Sequence, residues 1–180
     1  MGAEIEPALV KQIMDDMKGE PGALPLMSFA LLDLFEAEKT SKGEAMDLTL
    51  EEYLQRGGIE SALERHANQV FENFSEEQRK LTRDIFASLI TVGEGRQDTR
   101  RTATFEELVP AGESRELVAA TVAALAEENA RLITTSVAND EQMTDQSVAG
   151  TATVTIAHEA LIDAWPWLRQ LVDENRESIK

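Results

Sequence analysis

The chain has 180 residues, 42% hydrophobic and 28% charged, with no cysteine and a formal net charge of −17. That length holds one ordinary domain or two small ones, and the composition is that of a soluble, foldable chain. Without cysteine there is no disulfide framework, zinc knuckle or thiol nucleophile, and the even acidic coat repels nucleic acid and anionic lipid.

No apolar run approaches the ~18 residues that suggest a membrane span, and no secretory signal opens the chain, so a cytoplasmic location is expected. Met1-Gly2-Ala3 ahead of a polar helix reads as an added start, and the natural polypeptide is expected to continue upstream.

Pro7 marks a helix start, followed by Leu9, Val10, Ile13, Met14 and Met17 at the spacing of one face. Gly19, Pro21 and Gly22 stop it. A second helix, beginning around Pro25, carries Leu26, Phe29, Ala30, Leu32, Leu34 and Phe35 and is apolar nearly all round, which predicts deep burial. Lys39 to Met46 reads as a loop. Thr49-Leu50-Glu51-Glu52 is a capping-box pattern with Leu48 and Tyr53 placed for a hydrophobic staple, and Gly57-Gly58 ends the short helix it starts. The next helix carries Ile59, Leu63, Ala67, Val70, Phe71 and Phe74 on one stripe. A second capping box, Ser75 to Gln78, opens a helix with Leu81, Ile85, Phe86, Leu89 and Ile90 inward. No strand pattern occurs before Gly93.

Beyond Gly95 the character changes. Arg100 to Ala103 is short and β-permissive, Thr104 caps a brief helix, and Ser114 caps a longer one with Val118, Thr121, Val122 and Leu125 buried. Arg131 to Val137 and Thr151 to Ala157 read as strands around a polar loop. Helix, short strand, helix, helix, strand, loop, strand is the order of a winged-helix domain. The expected fold is therefore mainly α: a helical bundle over residues 1–75, then a winged-helix domain with a small antiparallel β-hairpin over 76–180. A closing helix is broken at Trp165-Pro166, where proline suits a first-turn position.

Enzyme signatures are missing: no G-x-x-x-x-G-K-[ST] loop, no H-E-x-x-H and no G-x-S-x-G elbow. The chain is thus not expected to be an enzyme by itself, and no metal ligands or catalytic residues are assigned. DNA binding by the helix after Ser114 is disfavoured, because Arg115 is its one base against Glu116, Glu127 and Glu128, and the loop between the last strands carries Asp140, Glu141 and Asp145. Arg96, Arg100 and Arg101 form the one basic cluster, read either as surface pairing with the acidic coat or as a docking point for another domain or a nucleotide phosphate. Leu24-Pro25 fixes a rigid apolar helix entrance suited to a flat ring. His158 stands where a strand turns into a helix, a place where unsatisfied N–H groups favour an anion.

Pro21-Gly22-Ala23-Leu24-Pro25-Leu26-Met27-Ser28-Phe29-Ala30-Leu31-Leu32, then Leu48-Thr49, Tyr53 and Gly57-Gly58-Ile59, resemble the helical lid segment of novel STAND-type signalling NTPases (signal transduction ATPases with numerous domains). Asp98-Thr99-Arg100-Arg101 and the run from Ala157 to Pro166 resemble their winged-helix segment. The resemblance implies the regulatory C-terminal part of an NTPase module that lacks the P-loop domain. It implies adenine contact at Leu24 and Pro25 and contact of His158 with the terminal phosphate of ADP; Arg100 and Arg101 are candidate contacts from the basic cluster and not from the resemblance. The His-Glu-Ala-Leu here differs from the Met-His-Asp of plant and apoptotic relatives. The resemblance further implies ADP or ATP with magnesium in the full-length protein, an upstream P-loop domain, a downstream WD40 or similar repeat sensor, and oligomerisation on activation, with no nucleic-acid or membrane partner. Two other readings stand beside it: an acidic winged-helix protein-interaction module without nucleotide, and a DNA-binding regulator.

Overall fold

A computed structural model describes residues 4–17, 23–42, 47–93, 97–137 and 152–178, with side chains described within the second helix from Met27 to Lys39. The chain is mainly helical with small sheets, and it divides into two units, Met1–His66 and Ala67–Lys180.

In the first unit the expected helix forms as α1 (Pro7–Asp16), with Pro7 in the first turn, where its missing N–H costs nothing. Its Leu9 and Ile13 are buried, whereas Val10 and Met14 are exposed, so the buried stripe is narrower than the apolar one. Strand β1 (Glu4–Ile5) pairs in parallel with β2 (Asp47–Leu48). Glu6 extends the tie: its N–H donates to the Leu48 carbonyl at 3.0 Å, and its carboxylate accepts from the Leu50 N–H at 2.8 Å. This pairing corrects the expectation of a strand-free first half; two-residue bridges are too short to show a period of two.

Helix α2 (Ala23–Lys42) outlasts the expected boundary, its last turn taking residues read as loop. Ala30, Leu34 and Glu38, spaced by four, form its buried stripe, while Leu32 between them is 52% exposed. Deep burial all round is thus corrected: one side of this apolar helix meets the core and the other does not. Leu9, Ile13, Ala30, Leu34, Leu48, Tyr53 and Ala62 make up that core.

Thr49 caps α3 (Leu50–Gln55) by accepting from the Glu52 N–H, and both Leu48 and Tyr53 are buried as a staple requires. The chain then turns into α4 (Gly58–Glu72) through Gly57 and Gly58, at φ of +83° and +66°. Both angles lie in the left-handed region that favours glycine. A Cβ on Gly57 would also collide with the Ser61 side chain. Gly57→Ala is expected to cost about 1–2 kcal/mol, measured by chemical unfolding; a neutral or stabilising result would refute this account of the turn.

The second unit takes the end of α4 and continues with α5 (Glu76–Ser88), whose Ser75–Gln78 box is complete: the Gln78 N–H donates to Ser75 Oγ at 3.2 Å and the Ser75 N–H to Gln78 Oε1 at 3.1 Å. Two strands follow, β3 (Ile90–Thr91) and β4 (Thr99–Arg100), paired antiparallel. Next come β5 (Ala103–Thr104), a 3-10 turn at Phe105–Leu108 capped by Thr104, and α6 (Arg115–Ala126), which buries Val118, Thr121, Val122 and Leu125 as its spacing predicts.

Strands β6 (Ile133–Val137) and β7 (Ala152–Ile156) form the long hairpin, in register from Ile133↔Ile156 to Val137↔Ala152. Strand β5 adds to the other edge of β7, giving the antiparallel order β5-β7-β6. The chain closes with α7 (Ala160–Ala164) and α8 (Pro166–Ser178), separated at Trp165. The acidic loop between β6 and β7 lies outside the described residues.

Candidate functional site

The segment from β7 to α8 carries the site. Strand β7 ends at Ile156, and the His158 carbonyl accepts from the Leu161 N–H at 3.0 Å, so the histidine sits at the entrance to α7. Leu161 and Ile162 face the core, and Trp165 at the helix break is fully buried. The Trp165 indole N–H donates to Asn68 Oδ1 at 2.7 Å, and its ring packs edge-on against Phe71 and Phe86 and tilted against Trp167. This aromatic cluster anchors the end of α7.

The imidazole of His158 is 4% exposed. A phosphate contact at this junction calls for a ring at least partly accessible, and the structure encloses it instead. The chain turns inward after β7, and the apolar residues that follow draw the junction into the core. Burial, and after it the nearby Arg100 guanidinium, hold the His158 pKa below the ordinary 6.5.

A pH dependence follows. The unfolded chain binds more protons at this position than the folded one, so the stabilising contribution is complete above pH ~6.5 and is lost as pH falls below that value. Between about pH 7.5 and about pH 5.5, the melting temperature of the second unit should fall further in the parent than in His158→Gln. Trp165 and Trp167 both lie in this unit and report its unfolding by fluorescence. Equal acid sensitivity in parent and variant would refute the assignment.

Arg100, on β4, is half-buried, and its Nη1 donates to the carbonyls of Ile156 and Ala157 at 3.2 and 3.3 Å. Two residues read together in the sequence thus part company in space. Arg101 donates from Nη2 to Glu107 Oε1 at 2.7 Å and is exposed. Adjacent residues of an extended chain point to opposite sides, which separates them. Arg96 lies outside the described residues.

A protein-family model described as Novel STAND NTPase 1 matches residues 1–180. The chain belongs to the novel STAND NTPase 1 family. No curated protein and no solved structure matched it.

In this STAND chain, Leu24 and Pro25 fall in the first turn of α2, and their side chains lie outside the described residues. The structure thus joins Arg100 to the His158 junction and leaves Arg101 with Glu107. Among the described residues, no group of three His, Asp or Glu side chains is placed to hold a metal ion, and no helix is long and apolar enough to cross a membrane.

The sequence did not flag a charge cluster in the first unit. Asp33 on α2 receives Arg56 Nε and Nη2 at 2.8 and 2.9 Å and Arg65 Nε and Nη2 at 3.0 and 2.7 Å. Arg65 Nη1 also donates to the Arg56 carbonyl at 3.0 Å, at the glycine turn. Burial acts to raise the Asp33 pKa, but the two guanidiniums override it and hold the carboxyl below its usual value. These residues are 23 and 32 positions from Asp33, and no local motif signals such a contact. Arg56 also lines a cleft with Leu34, Ala37, Glu38, Glu52 and Gln55.

Proposed function

We propose that this chain is the helical and winged-helix part of a STAND-type signalling NTPase, and that it senses whether ADP or ATP is bound. The observation that carries the reading is the family match over residues 1–180. The strand order β5-β7-β6 with α5, the 3-10 turn and α6 ahead of the hairpin supports a winged helix. Arg100 and His158 at one junction fit the phosphate end of a nucleotide: a fixed cation and a neutral ring that keeps one N–H to donate.

The chemistry of phosphoryl transfer belongs to a P-loop domain elsewhere in the polypeptide, which also supplies the magnesium ligands; this chain alone has no ATPase activity. Its own residues would do the holding. Leu24 and Pro25 form the adenine shelf, and the His158 junction engages the terminal phosphate of ADP and keeps the inactive arrangement. Exchange for ATP removes a contact made in one state only, and that difference is what biases a switch. A WD40 or similar repeat sensor downstream, oligomerisation on activation and a cytoplasmic location complete the reading. Duplex DNA is not a partner, since Arg115 on α6 is engaged by both carboxylate oxygens of Glu106 at 2.6 and 2.5 Å.

In the complete NTPase, His158→Ala should speed ADP release roughly tenfold, the loss of one charged hydrogen bond, and raise basal signalling. Unchanged release would leave His158 as a packing residue. That outcome supports a second reading, an acidic protein-interaction module without nucleotide, which the 4% exposure of His158 favours.

A further inference from the structure

The closing helix α8 is fastened in two different ways along its length. Its first half is apolar: Leu168, Leu171 and Val172 are buried, behind the Trp165 cluster. From Asp173 to Glu177 no side chain is buried, and two ion pairs tie this end to the rest of the unit. Glu174 meets Arg83 on α5, and Arg176 Nη2 donates to both oxygens of Asp98 at 2.7 Å. Asp98 lies just ahead of β4, and its Oδ1 also accepts the Gly93 N–H at 2.9 Å, closing the β3–β4 hairpin on itself.

Two residues further on, Arg100 holds the opposite end of the same closing segment, through the carbonyls of Ile156 and Ala157 at the β7–α7 turn. The hairpin between the two grips is rooted at the end of α5, where the Arg101 N–H donates to the Leu89 carbonyl at 2.7 Å. One short stretch therefore holds the α7–α8 pair at its entrance and its exit.

We propose that Asp98-Thr99-Arg100 is a two-point strap, through which release of Arg176 at the end of α8 loosens the β7–α7 turn beside His158. Asp98 is then a positioning residue. Arg176 is the input, a side chain 37% exposed that high salt or a competing anion can reach. Both grips share one hydrogen-bonded hairpin, which is the physical link that carries a shift from one to the other. Burial acts to raise the Asp98 pKa, but Arg176 and the Gly93 N–H override it and hold the carboxyl below its usual value, so the strap is fastened at neutral pH. It operates whether or not a nucleotide reaches the junction.

The chain's two histidines supply the readout, His66 in the first unit being the internal control. In the whole chain, Arg176→Gln and Asp98→Asn should speed amide exchange at Asn175 and Arg176 roughly threefold, the effect of losing one half-exposed ion pair. Both should also move the His158 ring resonances and leave those of His66 in place. Arg176→Lys, which keeps the charge, should recover much of the parent position. Arg83→Gln should speed exchange at the same helix end and leave His158 as in the parent, because that pair joins α8 to α5.

An unmoved His158 ring in Arg176→Gln overturns the strap and leaves Asp98–Arg176 as a local pair. Equal movement in Arg83→Gln overturns it too, since loosening α8 by any route would then suffice, and so does equal movement of His66. Where a variant fails to fold, the parent is titrated with sodium chloride from about 0.05 to about 0.5 M, a range that screens the pair. Exchange at Arg176 and the His158 signal should then follow one curve; separate curves overturn the inference.

Discussion

Replacing Trp165 by alanine is expected to destabilise the Ala67–Lys180 unit by about 4 kcal/mol, in the range for truncating a large buried aromatic. Trp165 is fully buried, touches three aromatic rings, and its indole N–H bonds Asn68. The truncation therefore opens a cavity and leaves the Asn68 amide without this donor. Trp165→Phe keeps part of the ring volume and loses the bond, so a cost nearer 2 kcal/mol is expected. Denaturant unfolding followed by helical circular dichroism measures both. A loss below about 1 kcal/mol for the alanine variant would show that the cluster repacks and does not anchor α7.

The second large effect concerns Asp33. Asp33→Ala strands two arginines that converge on one carboxylate, with side-chain exposures of 34% for Arg56 and 40% for Arg65 against 18% for Asp33. A fully buried pair broken this way costs several kcal/mol. Here both guanidiniums reach water, so about 2 kcal/mol is expected. Asp33→Asn, which keeps the shape and loses the charge, should recover less than half of it. The depressed Asp33 pKa adds a signature: its contribution is complete above the unfolded value of 3.8 and is lost as pH falls below it. Tyr53, the one tyrosine, lies in the same unit and reports on it. Its hydroxyl donates to Asp16 at 2.7 Å, and burial together with that carboxylate holds its pKa far above 10. An Asp33→Ala variant as stable as the parent would mean that the two arginines are held by the glycine turn alone.

What could be read from the sequence was what is local. The Ser75–Gln78 box and the buried face of α6 involve residues at most a few turns apart, and both form as their spacing predicts. Pro166 likewise starts α8, because proline chooses its place by its own ring. Contacts made across the fold were not legible. Asp33 meets Arg56 and Arg65 only after three helices pack, and β1 meets β2 through two residues each. At the site, the position of His158 at the strand-to-helix turn followed from pattern, but its burial did not, since enclosure depends on what surrounds the junction. The basic cluster was visible, yet only the structure divides Arg100 from Arg101 by what each one touches.

The β1–β2 pairing also bears on the order in which the first unit assembles. Glu4 meets Asp47 across a loop of about 43 residues, whereas helices form from neighbours. Loop closure of that length costs chain entropy before any contact rewards it. Strand β1 should therefore dock late, after α2 and α3 have met. Deleting the residues before Glu6 should then accelerate unfolding and leave the folding rate almost unchanged, the kinetic behaviour of a clasp fastened after the transition state.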